Sequence, residues 1–152
     1  MADPPIAVRP ATAEDLLALV RIYQGSPDLL PDQLSDAQRA IWDRMMGTPD
    51  LTVFVAEWAG EPVGTAVLLV MPNLTYDCRP TAFIEAVVVV PSHRRRGIAT
   101  AIMRRVLDDA GAQSCRKVQL LSHKRHADDG AHELYRSLGF DPEAEGFRLY
   151  LG

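Results

Sequence analysis

Short apolar runs bounded by proline and glycine alternate along this chain with stretches whose apolar positions recur every three or four residues. Ile6 to Val8 reads as a first strand. Thr12 is placed to cap a helix that carries Leu16, Leu17, Val20, Ile22 and Tyr23 at roughly helical spacing, and Pro27 and Pro31 break the pattern. Ser35-Asp36-Ala37-Gln38 has the S-x-x-Q form in which two side chains cap each other's backbone, which predicts a second helix ending near Gly47. Leu51 to Trp58 and Val63 to Met71 are strand-like, and Ala59-Gly60-Glu61-Pro62 between them makes the pair a hairpin. Pro72 to Pro80 is a polar loop.

Phe83 to Val90 is rich in β-branched residues and apolar on both sides from Ala86 onward, the pattern of a central strand covered on both faces. Pro91 stops it, and Gly97 opens a helix with Ile98, Ile102, Val106 and Leu107 on one stripe, ending near Gly111. Val118 to Leu121 is predicted as a short strand, Asp128 to Leu138 as a helix closed by Gly139, and Phe147 to Leu151 as a last strand. The order β-α-α-β-β-β-α-β-α-β is that of a mixed α/β (α+β) layer fold. No repeat or composition shift marks a boundary, so residues 1–152 are read as one domain.

Composition narrows the classes of function. The chain is 47% apolar and 24% charged, as expected of a globular protein with one real core. Its formal net charge of -4 argues against general nucleic-acid binding. Arg94, Arg95, Arg96, Arg104 and Arg105 are nevertheless clustered, and one basic spot on a mildly acidic protein points to a small anionic ligand. The apolar run Ala86 to Val90 is far short of the roughly 20 residues a membrane helix needs. Met1 to Ile6 has neither the basic start nor the apolar stretch of a secretory leader, and Cys78 and Cys115 form no C-x-x-C, so a reducing, cytoplasmic setting is expected.

The chemistry-bearing stretch is Glu85 to Ala99, in which a strand ends at a proline, a basic turn follows, and a helix starts at a glycine. Helix starts leave backbone N–H groups unpaired and partly positive, so this segment is suited to a phosphate. The small residues Gly97 and Ala99 let phosphate oxygens approach the backbone. The competing reading is a solvated arginine turn ahead of a helix. Downstream, Ala131-His-Glu-Leu-Tyr135-Arg-Ser-Leu-Gly139-Phe140 places a tyrosine beside a glycine helix stop.

Arg94-x-x-Gly97-x-Ala99 after a hydrophobic strand resembles the coenzyme A signature, R/Q-x-x-G-x-G/A, of the GCN5-related N-acetyltransferase (GNAT) family. The run from Ala131 to Phe140 is similar to that family's A-x-x-x-Y-x-x-x-G-F helix ending. The resemblance covers nearly the whole chain, most firmly from Val53 to Phe140. It implies a single-domain acyl-CoA N-acyltransferase fold whose mixed sheet is splayed between the strand at 83–90 and the strand at 118–121. It also implies acetyl-CoA as co-substrate, with no metal. Arg94, Arg95, Arg96, Gly97, Ile98, Ala99 and Thr100 would hold the pyrophosphate, mostly through backbone N–H groups. Val87, Val88 and Val89 would offer main-chain groups to the pantetheine arm, and Tyr135 would sit near the thioester sulfur. Asp128 is a departure, because many relatives carry Asn seven residues before that tyrosine, and an acidic group there would repel a polyanion.

A thioester is already activated, so a neutral amine attacks it without a covalent enzyme intermediate. An amine of pKa near 10.4 is neutral in roughly one molecule in 2,500 at pH 7, so a carboxylate that removes its proton helps. Glu85 is the candidate base, placed by the period-two rule on the same face as Val87, with a loop cap or a pair with Arg79 as its structural alternative. Tyr135, protonated at neutral pH, is the candidate proton donor to the departing thiolate.

His132-Glu133 begins an H-E-x-x-H, but Arg136 stands in the second histidine's place, so no zinc motif is completed. The activity expected is N-acetylation of a primary amine, small-molecule or protein, with no nucleic-acid or membrane partner. The alternative is a non-catalytic coenzyme A binding or sensing module. The acceptor is expected against the first two helices, Leu16 to Gly47, and the Pro72 to Pro80 loop, and a homodimer is expected from the resemblance alone.

Overall fold

The computed structural model describes residues 2–152 and divides the chain into two compact units, one ending at Gln119 and the other beginning at Leu120. The first unit holds β1 (Ile6–Pro10), α1 (Leu16–Gln24), α2 (Asp36–Met46), β2 (Leu51–Trp58), β3 (Glu61–Met71), a one-turn segment α3 (Thr75–Cys78), β4 (Thr81–Val89) and α4 (Ile98–Ala112). β5 (Lys117–Leu120) ends at the junction, and α5 (Ala131–Ser137) belongs to the second unit. The five strands form one mixed sheet in the order β1-β2-β3-β4-β5, with β1 to β4 antiparallel neighbours and β4 connected to β5 through α4.

Strand alternation divides the core between two faces. Leu19 of α1 and Trp42 of α2 pack on Val53 and Val55 of β2, with Leu16, Met45 and Val67 around them. The opposite face carries Gly64, and α4 supplies it with the buried residues Ile98, Ile102, Met103 and Val106. Gly64 is required there. A Cβ on it would stand 2.9 Å from Ile102 Cδ1 and 3.2 Å from the Val88 carbonyl oxygen, so a side chain there would force Ile102 to repack and crowd the neighbouring strand.

An ion cluster ties β1 to the start of α1 and to β2. Arg9 donates to both Asp15 oxygens at 2.7 and 3.0 Å and to Glu57 at 2.8 and 3.0 Å. The Thr12 N–H also donates to Asp15 at 2.7 Å, so this buried carboxylate closes the turn that leads into α1. The Arg9 guanidinium outweighs desolvation and holds the Asp15 carboxyl below the usual carboxylate range.

Several predicted boundaries shift for identifiable reasons. The Ser35/Gln38 cap of α2 forms as read, with the Gln38 N–H 3.1 Å from Ser35 Oγ and the Ser35 N–H 2.8 Å from Gln38 Oε1. The β2–β3 turn is shorter than predicted. Ala59 and Gly60, at φ of 51° and 81°, form it alone, as a two-residue hairpin with both central residues left-handed. Pro62 lies inside β3, tolerated where the register shifts beside Glu57. α5 starts at Ala131, three residues later than predicted, because Gly130 takes a left-handed φ of 92° and Asp129 accepts the Ala131 N–H.

Two expectations are overturned. Phe147 to Leu151 is not a strand, since no ladder pairs it, and Phe147, Leu149, Tyr150 and Leu151 are exposed. β4 is not covered on both faces: Glu85 and Ala86 are exposed and Val87 to Val89 only half-buried. The four-residue β5 is too short to flank the nine-residue β4 along its length.

Replacing Asp15 by Asn keeps the shape and removes the charge. It should cost about 1–3 kcal/mol near pH 7, the lower end being favoured because Arg9 is partly solvated. The folded carboxyl titrates below its unfolded value of about 3.9, so its contribution is complete above that pH and is lost as pH falls through the folded pKa. Urea unfolding of both proteins from about pH 7 down to about pH 2 should therefore show the difference shrinking on the acid side. A difference independent of pH would remove the ion cluster as its cause.

Candidate active site

The site is built on an interruption of the β3–β4 ladder. Thr65 pairs with Val88 and Val67 with Glu85, so one residue of β3, Ala66, lies opposite two of β4, Ala86 and Val87. Ala86 absorbs the extra length at a φ of 51°, a left-handed conformation that a non-glycine residue adopts at a cost of about 1 kcal/mol or more. The bulge shifts side-chain alternation by one position. Glu85, opposite Val67, therefore shares its face with Val88, opposite Thr65, and this face packs on α1 and α2. The predicted pairing of Glu85 with Val87 on one face is corrected accordingly. Glu85 forms no ion pair with Arg79 either, whose guanidinium donates to the carbonyls of Ser114 and Cys115 at 3.1 Å.

Beyond β4 the chain turns through Pro91–His93 and reverses into α4. Arg94 Nε donates to the Val89 carbonyl at 3.3 Å, folding the turn back on the strand end. The Arg96 guanidinium lies 5.2 Å from the centre of the Trp58 ring, and His93 meets the same ring edge-on at 5.9 Å. Arg95 and Gly97 are left-handed at φ of 62° and 77°. Gly97 is the N-cap of the fifteen-residue α4, and no side chain caps that end. The N–H groups of Ile98, Ala99 and Thr100 thus open the helix without a side-chain partner, and the space where a Gly97 side chain would point is clear. An uncapped helix start, an open approach and three exposed arginines suit a phosphate.

The second unit places Tyr135 on α5, half-buried and edge-on to Phe140 at 6.1 Å. Burial, with a smaller contribution from the Asp129 charge, raises its pKa, so the phenol holds its proton at neutral pH and above. Asp128 is exposed in the turn ahead of α5. Its neighbour Asp129 is the one engaged, with His126 and with the Ala131 N–H at 3.1 Å. His132, one turn before Tyr135, meets Ser122 Oγ at 3.0 Å.

Of the predicted residues, the first unit brings Glu85, Val87, Val88, Val89 and Arg94 to Thr100 onto one continuous strand–turn–helix segment, while Tyr135 and Asp128 lie in the second unit. The Pro72 to Pro80 loop lies at the opposite end of β4 from the arginine turn, where the Arg116 N–H donates to the Pro80 carbonyl at 2.8 Å. Three features escaped the sequence reading. The bulge at Ala86 has no glycine to announce it. The Trp58 platform is 35 residues or more from the turn it supports, Trp58 preceding His93 by that interval. The third is the buried hydroxyl of Thr65, for which a polar residue between Val63 and Val70 was the visible signal.

The model of the Acetyltransferase (GNAT) family matches residues 16–140. Glucosamine 6-phosphate N-acetyltransferase of Trypanosoma brucei brucei is 32% identical over 99 residues, covering 65% of this chain and 64% of that protein, slightly under two thirds of its length. Aminoglycoside N(6')-acetyltransferase type 1 of Salmonella typhimurium is 25% identical over 123 residues, 80% of this chain and 79% of that one. A solved structure named as an acetyltransferase, from Agrobacterium tumefaciens str. C58, superposes with a TM-score of 0.85 at 37% identity, over 95% of this chain and 99% of its own.

Gly97→Glu puts a carboxylate where a phosphate would approach the α4 start, and adds strain at a left-handed position. Coenzyme A affinity should fall by about tenfold or more, equivalent to about 1.4 kcal/mol, in calorimetric titration of the folded variant. Normal affinity would move the phosphate site elsewhere.

Proposed function

We propose, for a chain that belongs to the Acetyltransferase (GNAT) family, that it transfers the acetyl group of acetyl-coenzyme A to a primary amine. The observation that carries this reading is the uncapped start of α4 behind the left-handed Gly97, on the segment that matches the family's coenzyme A signature. Backbone N–H groups of Ile98, Ala99 and Thr100 bind the pyrophosphate, with Arg95 free to add charge, while Arg94 and Arg96 shape the turn. The main chain of the half-buried residues Val87 to Val89 takes the pantetheine arm. The family match runs through both compact units, which supports treating residues 1–152 as one acetyltransferase domain.

Acetyl-coenzyme A supplies an acetyl group already activated as a thioester. The amine nitrogen attacks the carbonyl carbon, the new C–N bond forms, and the C–S bond breaks. The proton shed by the amine passes to Glu85, exposed and exchangeable with solvent, and the departing thiolate takes one from Tyr135. Solvent returns both residues to their starting states. The raised pKa of Tyr135 fits a group that must arrive protonated. Two relatives are named for amino-sugar acceptors, which supports amino sugars as the first class of acceptor to test. No helix among the described residues is long and apolar enough to cross a membrane.

Acetyl-coenzyme A should raise the melting temperature, since a ligand that binds only the native state stabilises it. Free-thiol release over a panel of primary amines then separates an enzyme from a coenzyme A binding module, which would show the shift without turnover. Absence of a shift at millimolar ligand, confirmed by calorimetry, would end both readings.

Tyr135→Phe should lower turnover by roughly 10- to 1,000-fold, with acetyl-coenzyme A binding nearly unchanged because the ring survives. The defect should shrink with an acyl donor whose leaving thiol is more acidic. An unchanged rate under conditions where chemistry limits turnover would take the proton-donor role away from Tyr135.

A further inference from the structure

The face of the sheet that carries Glu85 also carries a polar pair that the mechanism above does not use. Thr65 is fully buried on β3, directly opposite Val88, and its hydroxyl has no hydrogen-bonding partner. The phenol of Tyr23, at the end of α1, approaches that hydroxyl without closing a hydrogen bond of normal geometry. Burial raises the Tyr23 pKa and the neighbouring Thr65 hydroxyl partly opposes it, so the phenol is protonated at neutral pH. Yet Tyr23 leaves 44% of its surface in solvent, so the residue reaches from the exterior to the buried hydroxyl.

Register locates the pair relative to the base. Thr65 and Val67 are two residues apart on one face of β3, and Glu85 is opposite Val67, which makes Thr65 and Glu85 diagonal neighbours, about 7–8 Å apart. Packing alone gives no reason for a hydroxyl at this point. Valine has nearly the same shape and is as much at home in a strand, and an unpaired hydroxyl in a dry site costs stability. An unpaired buried hydroxyl kept at such a cost calls for a functional reason, and the half-exposed Tyr23 above it is the group that solution can reach.

We propose that the Tyr23 phenol, seated on the Thr65 hydroxyl, is the acceptor's second hydrogen-bonding partner, accepting an N–H of the incoming primary amine while Glu85 takes its proton. Tyr23 touches the acceptor. Thr65, which is inaccessible, is a positioning residue: its hydroxyl, unpaired in the free protein, donates to the phenol oxygen once the bound acceptor has drawn the phenol into line. The acceptor therefore enters on the α1 side of β4. This inference rests on the N-acetyltransferase reading.

The test measures Tyr23→Phe, Thr65→Val and Thr65→Ser with the best acceptor among glucosamine 6-phosphate, sisomicin and n-butylamine. Tyr23→Phe and Thr65→Val should each raise the acceptor KM by about tenfold or more, leaving the acetyl-coenzyme A KM within about twofold. Thr65→Ser should restore the acceptor KM. Thr65→Val should at the same time raise the melting temperature, because it removes an unpaired hydroxyl without changing shape. A more stable Thr65→Val protein with an unaltered acceptor KM overturns the proposal, as does one less stable than the parent, in which the hydroxyl must be satisfied by the fold. A parent protein that binds coenzyme A but acetylates neither these amines nor any of the wider panel of primary amines removes the reading beneath it, and the proposal with it. An active parent with unaffected variants removes the proposal alone.

Discussion

The rest of the site depends on one extra residue in β4. A strand's side chains alternate with a period of two, so a single insertion carries every later side chain to the opposite face. The ladder holds the bulge in place from both sides, through Leu68–Ile84 and Val67–Glu85 before it and Thr65–Val88 and Gly64–Val89 after it. Because those pairs are fixed, the left-handed turn at Ala86 cannot relax by slipping the register. Glu85, ahead of the insertion, takes the α1 and α2 face from its pairing with Val67, and the insertion carries Val88 onto that same face. Val89 leads to the arginine turn on the side where α4 lies against Gly64. A stability cost at one backbone position sets how the later residues of β4 are disposed relative to the candidate base, and the path of the strand toward the α4 start.

The arginines of the signature divide their work between architecture and recognition. Arg94 is spent on the Val89 carbonyl, and Arg96 on the Trp58 ring, a pairing that keeps its charge while lowering its freedom. Arg95 sits at a left-handed φ where glycine would be easier, and its side chain is exposed. The anion-binding capacity proposed for this segment therefore rests chiefly on backbone N–H groups, whose direction is set by the helix and does not depend on a flexible side chain. This agrees with a protein whose overall charge is mildly negative and whose basic residues are concentrated at one turn.

On the opposite side of the sheet, polar groups serve two ends. The Arg9–Asp15–Glu57 cluster is satisfied internally, with each carboxylate oxygen accounted for by the guanidinium or the Thr12 N–H apart from one of Glu57. It fixes the entry of α1. At the other end of the same helix, the Thr65 hydroxyl beneath Tyr23 has no hydrogen-bonding partner. A helix anchored firmly at its start and left polar at its end suits a wall that must keep its position while meeting something from solution.

The sequence by itself determined the identity and order of most elements, because these depend on local period and local chemistry. The Ser35/Gln38 cap, the stop at Pro91, the glycine opening of α4 and the stripe Ile98, Ile102 and Val106 all act within a turn or two of the chain. The strand–turn–helix carrying Arg94, Gly97 and Ala99 was legible for the same reason. What joins distant positions was not. Valine-rich composition marked β4 as a strand, but its burial depends on how far β5 extends beside it, and Phe147 to Leu151 has a strand's composition with no partner to pair it. The face of Glu85 was misread because a bulge is a property of two paired strands, invisible in either one. Trp58 under Arg96, and Thr65 beneath Tyr23, are likewise meetings of residues 38 and 42 positions apart, which only the folded sheet brings within reach.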